Sequence, residues 1–304
     1  GFMYFKGFGM PRNYVLAKEW FEKAAEQQNT TAQFNLGIMY YEGGFGIPRN
    51  YTLAKEWFTK AAEQNDKNAQ FNLGIVYYRG NGIPQDFVLA KEWFTKAAEQ
   101  NQKNAQFYLG LMYEKGHGIP QDYNLAKELY EKAAEQNFKN AQYNLGLMYY
   151  HGNGIEQDYA LAKEWFEKAA EQNQKDAQFH LGLIYYGGLG IPKDYALAKE
   201  WFEKAAERNH ITAQYNLGLM YLGGDEVPQD YKEAAKWFRL AADQGNAESQ
   251  TELGQMYQEG KGVPQNYKKA IKWFQLAAEH GNAFAKAFLA DSYEKGNGVP
   301  QDDK

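Results

Sequence analysis

Residues 69–104 read AQFNLGIVYYRGNGIPQDFVLAKEWFTKAAEQNQKN, and residues 105–140 read AQFYLGLMYEKGHGIPQDYNLAKELYEKAAEQNFKN. The two stretches align without a gap, so the chain repeats with a period of 36 residues. A fixed period of this length marks a structural unit that buries its apolar face only by stacking on copies of itself. Prolines carry the phase: Pro48, Pro84, Pro120, Pro192, Pro228, Pro264 and Pro300 lie 36 or 72 residues apart, and Glu156 stands at the skipped position. Pro11 and Pro48 are 37 apart, because the loop Gly43-Gly44-Phe45-Gly46 holds one extra residue. Complete repeats begin at Ala32, Ala69, Ala105, Ala141, Ala177, Ala213 and Ser249. This divides the chain into a partial repeat over 1–31, seven full repeats over 32–284 and a partial repeat over 285–304, with no linker. Gly1 falls at the position of Gly37 and Gly74, so the chain opens inside a repeat and an upstream segment is expected.

Each repeat carries two helical patterns. In the first, Ala69, Leu73 and Tyr77 recur at i, i+4 and i+8 and share one face. Gly74 beside them costs about 1 kcal/mol relative to alanine in a helix, so its recurrence predicts a backbone passing close by. Gly80-Asn81-Gly82 ends that helix, with Pro84 just beyond. Asp86 is the expected N-cap of the second helix, in register with Asn50, Asp122, Asp158, Asp194, Asp230 and Asn266. Phe87, Ala90, Trp93, Phe94, Ala97 and Ala98 then form its apolar stripe, and Trp165 is expected to fill core in the same way. The fold class is therefore all-α, a right-handed α-α superhelical solenoid of helix–turn–helix repeats.

The pattern AxxxLGxxYxxGxGIPxDYxxAxxWFxKAAEQ resembles the Sel1-like repeat, a relative of the tetratricopeptide repeat, over the whole chain. Two departures stand out: Leu129 replaces the tryptophan of Trp57, Trp93, Trp165 and Trp201, and Asp225-Glu226 replaces a loop glycine. The resemblance implies bacterial scaffold or adaptor roles in signalling, envelope, host interaction, secretion or toxin immunity. Some cysteine-rich relatives are linked to β-lactam binding or hydrolysis.

Composition narrows the chemistry. The 304 residues carry 33 Lys and Arg against 38 Asp and Glu, a net charge of −5, which argues against nucleic acid as a partner. No stretch approaches the roughly 18 apolar residues of a membrane span, and no signal peptide is visible. Cysteine is absent, so disulfides, thiolate metal sites and a Cys nucleophile are excluded, while the compartment stays open between periplasm, secretion and cytoplasm. His117, His151, His180, His210 and His280 show no i, i+4 metal pair. No phosphate loop or nucleophile elbow is present, and the recurrent G-x-G elements read as helix-ending loops. Lys91-Glu92 and Glu99 read as solvated charge on the second helix. No catalytic residue, metal or cofactor is expected.

A second apolar stripe lies on the first helix, roughly 150° from the face of Ala69 and Leu73. It comprises Phe34, Ile38 and Tyr41; Phe71, Ile75 and Tyr78; Phe107, Leu111 and Glu114; Tyr143, Leu147 and Tyr150; Phe179, Leu183 and Tyr186; and Tyr215, Leu219 and Leu222. It then turns polar, at Thr251, Gln255 and Gln258 and again at Ala287, Asp291 and Glu294. The resemblance implies that the first helices line a concave groove, so the stripe, rimmed by Asn72, Asn144, His180 and Asn216, is the expected partner-binding surface. Packing between neighbouring repeats is the competing reading. The partner expected there is another protein, as a peptide segment or helix, with a carbohydrate or peptidoglycan strand as the alternative and a β-lactamase-type hydrolase third.

Overall fold

Each repeat starts its second helix where an Asp or Asn side chain accepts from one or two of the free N–H groups of the first turn, and stops it beside a residue that tolerates left-handed backbone. The computed structural model describes Tyr4 and residues 11–44, 46–224 and 227–297. The calls on Gly1, Phe45, Asp225-Glu226 and Pro300 lie outside the described residues. The chain forms two compact blocks, Gly1–Gln157 and Asp158–Lys304. The first holds α1 (Tyr14–Glu26), α2 (Thr30–Glu42), α3 (Tyr51–Glu63), α4 (Lys67–Arg79), α5 (Phe87–Glu99), α6 (Lys103–Lys115), α7 (Tyr123–Glu135) and α8 (Lys139–His151). The second holds α9 (Tyr159–Glu171), α10 (Lys175–Gly187), α11 (Tyr195–Ala206), α12 (Ile211–Gly223), α13 (Tyr231–Asp243), α14 (Ala247–Glu259), α15 (Tyr267–Glu279) and α16 (Ala283–Glu294). Within each block every helix packs on its sequence neighbours, so the architecture is an all-helical solenoid of helix pairs.

The caps fall where the repeat pattern put them. Asp86 Oδ1 accepts from Leu89 N at 2.9 Å, and Asn50, Asp122, Asp158, Asp194, Asp230 and Asn266 do the same for their helices. First helices are capped less uniformly, by Asn29, Asp66, Gln102, Gln174, His210, Asn246 and Asn282, while Phe138 provides no side-chain cap. Asn65, Asn101, Asn137, Asn173 and Asn209 turn the chain between helices with φ of 56–66°, a region where Asn is the least strained residue after glycine. Gly80, at φ 67°, ends α4 and returns its N–H to Val76 O at 3.1 Å.

The mid-helix glycine answers to a ring and not to a backbone. A Cβ on Gly74 would sit 2.6 Å from Phe94 Cδ1, and one on Gly110 would sit 2.8 Å from Tyr130 Cε1. The glycine lets the aromatic ring of the following helix lie flat on the first, and Phe58, Phe94, Tyr130, Phe166, Phe202, Phe238 and Phe274 are all essentially buried. The neighbouring tryptophans are not core as expected. Trp57, Trp93, Trp165 and Trp201 are half-buried, and Lys60, Lys96, Lys168 and Lys204 lie 4.1, 4.2, 4.0 and 3.9 Å from their ring centroids. Each is a partly solvated cation–π pair at i, i+3, which is why Leu129 can stand in without opening a void. Phe87 and Ala98 are half-buried too, leaving Ala90, Phe94 and Ala97 as the buried set of α5.

A glutamine ladder ties the pairs together. Gln33, Gln70, Gln106, Gln142, Gln178, Gln214 and Gln250 are buried, and each donates to a carbonyl eight residues back at 3.0–3.4 Å. Their Oε1 atoms accept from a residue at the end of the next second helix: Gln64 to Gln33, Gln100 to Gln70, Gln136 to Gln106 and Gln244 to Gln214, at 2.6–2.8 Å. Arg208 breaks the series. It donates to Asn173 Oδ1 and Lys204 O, and Gln178 Oε1 stays buried without a partner. Arg208→Gln is therefore expected to stabilise the second block by about 1 kcal/mol, read as a rise in the urea midpoint at unchanged m. A fall would show that the arginine contributes more than the missing rung. One paired departure compensates itself: where Tyr130 replaces the buried Phe, Glu114 replaces the stripe aromatic, and the hydroxyl donates to Glu114 Oε2 at 2.7 Å. Burial and that carboxylate push the Tyr130 hydroxyl far above the usual phenol range.

Candidate functional site

In the first block the stripe serves mainly to join repeats. Phe71 packs 5.9 Å from Phe94 and 5.7 Å from Tyr108, and Phe107 packs 5.6 Å from Tyr130 and 5.3 Å from Phe138. Tyr78 meets Phe87 edge-on at 5.4 Å, and its hydroxyl is 2.9 Å from His117 Nδ1. Tyr41 accepts from Arg79 and Asn81, residues of the following repeat, at 3.3 and 3.2 Å. Ile75 is 6% exposed, inside a cluster with Ala90, Phe94, Leu109 and Met112. It is core and does not line an open surface, which corrects the expectation for that residue. Phe71, Tyr78, Phe107, Leu111, Tyr143, Leu147 and Tyr150 are half-buried.

The second block leaves more of the stripe open. Phe179 stacks on His210 with centroids 4.4 Å apart, and Tyr215 lies 6.0 Å from Phe238, so these two are held by packing. Leu183 is half-buried, whereas Tyr186 and Leu219 are each 37% exposed. Leu183, Tyr186 and Leu219 line a cleft of about 340 Å³ between α10 and α12, floored by Phe202 and Met220 and bounded by Asn216 and Gly223. The cleft is mostly apolar, with one amide at its rim. Asn72 and Asn35 donate to the carbonyl four residues back, at 2.8 and 2.7 Å. Asn216 makes no such bond among the described residues, so its amide is available as both donor and acceptor.

The position after Asn216 in the next repeat is Glu252 on α14, a residue the reading of the stripe passed over. Comparing the column Asn72, Tyr108, Asn144, His180, Asn216 and Glu252 across repeats singles it out, since it is the one carboxylic acid among them. Burial and Glu259 lift its carboxyl above the usual range, while burial, Glu252 and Glu248 raise the Tyr215 hydroxyl. The polar stripe residues beside it behave differently: Thr251 is 6% exposed and returns its hydroxyl to Ala247 O at 2.9 Å, and Gln255 and Gln258 are half-buried.

The histidines act as structural parts. His210 Nδ1 accepts from Ala213 N at 3.1 Å and caps α12, which places its proton on Nε2, 3.4 Å from Asp176 Oδ1. That contact holds the Asp176 carboxyl below the usual range. The pair has the look of an acid–histidine dyad, but the chain's two serines, Ser249 and Ser292, are buried in α14 and α16. Among the described residues no group of three or more His, Asp or Glu could hold a metal ion, and no helix is long and apolar enough to cross a membrane.

Tandem helix pairs locked by a glycine–phenyl contact define an α-solenoid repeat protein. The Sel1 repeat model matches residues 1–29, 30–66, 67–102, 103–138, 139–174, 175–210, 211–246, 247–282 and 283–304, nine consecutive repeats that cover the chain. This chain belongs to the Sel1 repeat family. It is similar to a protective antigen present in uropathogenic Escherichia coli strains, with 35% identity and a TM-score of 0.82 over 99% of this chain and 64% of that one. It is similar to a Sel1 repeat protein from Oxalobacter formigenes, with 37% identity and a TM-score of 0.77 over 90% of this chain and 79% of that one. A 44-residue stretch, 14% of this chain, is 43% identical to 7% of an ERAD-associated E3 ubiquitin-protein ligase component of Arabidopsis thaliana. The chain thus spans under two-thirds of the Escherichia coli protein and a small part of the plant one. Sel1 repeat solenoids are typically protein-interaction scaffolds and generally non-catalytic.

Proposed function

We propose that this chain is a non-catalytic scaffold that holds a peptide segment or helix of another protein on the first-helix face of its repeats. The observation that carries the reading is the cleft of the second block, where Tyr186 and Leu219 are exposed around an apolar floor with a free amide at the rim. Apolar anchors beside a single directional hydrogen-bonding group suit a side chain entering with its own backbone amide alongside. In the second block Phe179, Leu183 and Tyr215 support that face, and in the first block Phe71, Tyr78, Phe107, Leu111, Tyr143, Leu147 and Tyr150 form the corresponding first-helix face while packing repeat on repeat. The non-catalytic part rests on the family, the absence of cysteine and the use of both serines as buried helix residues. Among bacterial settings, host interaction has the support of the likeness to a protective antigen.

Changing Tyr186 and Leu219 together to Ser is expected to abolish capture of the partner from the source organism. Because both side chains are already partly solvated, the thermal midpoint should move by only a few degrees. A drop of more than about 10 °C would mean that these residues serve packing, and the docking reading would fall.

A further inference from the structure

The exposed apolar cleft on α10–α12 and the charge one repeat further along differ in kind, and this difference specifies the occupant. The cleft, about 340 Å³ and lined mainly by apolar side chains, has ample room for a side chain of leucine or methionine size. Glu252 follows at the next equivalent position, beside Tyr215, and forms no ion pair among the described residues. Its acidic neighbour Glu259 is already paired with Lys261 at 2.7 Å, and Glu248 takes a hydrogen bond from Asn246 at 3.0 Å. A half-buried carboxylate without a counter-ion is a cost to the free protein that an incoming cation removes. The stripe turns from apolar to polar at the same point, through Gln255 and Gln258, whose amides suit the N–H groups of a basic side chain.

Building on the docking reading above, we propose that the second block binds a peptide segment that seats a leucine or methionine in the Leu183–Tyr186–Leu219 cleft and sets a lysine or arginine against Glu252. The cleft is lined from α10 and α12 and Glu252 stands on α14, the next first helix, so an extended strand advancing about 3.3 Å per residue covers about 10 Å with anchors three residues apart, as in Leu-x-x-Arg. A chain of net charge −5 favours such a basic segment at long range as well.

The test is fluorescence polarisation of the full chain with two fluorescein-labelled peptides that differ only in carrying Leu-Ala-Ala-Arg or Leu-Ala-Ala-Glu at their centre. The arginine peptide should bind at least about tenfold more tightly. Glu252→Gln, which keeps the side-chain shape, should bring the two peptides within about twofold of each other, and Leu219→Ser should release both. Equal binding of the two peptides that is lost in Leu219→Ser would overturn the charge pairing and leave the cleft as an anchor. Failure of both peptides to bind, or binding that ignores Leu219→Ser, would remove the docking reading itself. Displacement of the arginine peptide by N-acetylglucosamine oligomers, or self-association abolished by Leu219→Ser, would give the cleft to a glycan or to a second copy and would equally overturn the proposal.

Discussion

Phe94→Ala is expected to destabilise the first block by about 3–5 kcal/mol, the largest loss from any single truncation considered. The ring is fully buried, lies 5.9 Å from Phe71, 6.1 Å from Tyr78 and 5.6 Å from Tyr108, and covers the bare backbone of Gly74. Its removal leaves a void shared by α4, α5 and α6, and none of them can close it without abandoning a neighbour. Trp93→Ala, one residue earlier, removes a larger side chain but should cost only about 1–2 kcal/mol. That ring is half in solvent and its specific partner is the exposed Lys96. Urea denaturation of the two variants reads the contrast directly. Equal losses would show that burial does not rank these positions.

Gly74→Ala is expected to lower stability by about 1–3 kcal/mol, against the sign of helix propensity, which alone would give a gain of about 1 kcal/mol. The added methyl would stand 2.6 Å from Phe94 Cδ1, and the ring has no exposed side toward which to move. The loss should shrink when the ring is also reduced, so Gly74→Ala with Phe94→Leu should cost less than the two single changes added together. That non-additivity is the signature of direct contact. A neutral or stabilising Gly74→Ala would mean that the glycine is retained for some reason other than the ring.

The fold was legible because the same constraints are written repeatedly. One Asp before an apolar run is a weak sign of a helix start, whereas Asn50, Asp86, Asp122, Asp158, Asp194, Asp230 and Asn266 at a fixed period are a strong one. What the pattern did not separate was burial from partial burial among aromatics. Trp93 and Phe94 are adjacent and both apolar, yet in the fold one is wrapped by three helices while the other lies under a lysine. The stripe posed the same difficulty. Ile75 and Leu219 occupy equivalent places in their repeats, yet one is 6% exposed and the other 37%. The buried neighbours Phe94 and Leu109 recur as Phe238 and Leu253, so the difference lies elsewhere: Tyr108 packs against the cluster that holds Ile75, and Glu252 stands at its place in the repeat after Leu219. Helical spacing reports direction, and how tightly a neighbour covers a position depends on contacts made many residues away. Glu252 lies in the mostly polar column beside the stripe, where apolar spacing carries no signal.

Near-identical repeats bring a hazard of their own: a chain whose segments are interchangeable can mispair by a whole period while satisfying almost every contact. The Tyr130–Glu114 pair works against such slippage. Shifted by one repeat, Tyr130 would bring its hydroxyl against Tyr78 or Tyr150 where it now meets a carboxylate, and Glu114 would face the hydrocarbon edge of Phe94 or Phe166. A shifted register gives up the Tyr130–Glu114 hydrogen bond at both of its ends, at about 1 kcal/mol. One irregular repeat in a monotonous array thus serves as a registration mark, and a chain rebuilt from perfect consensus units would lack it.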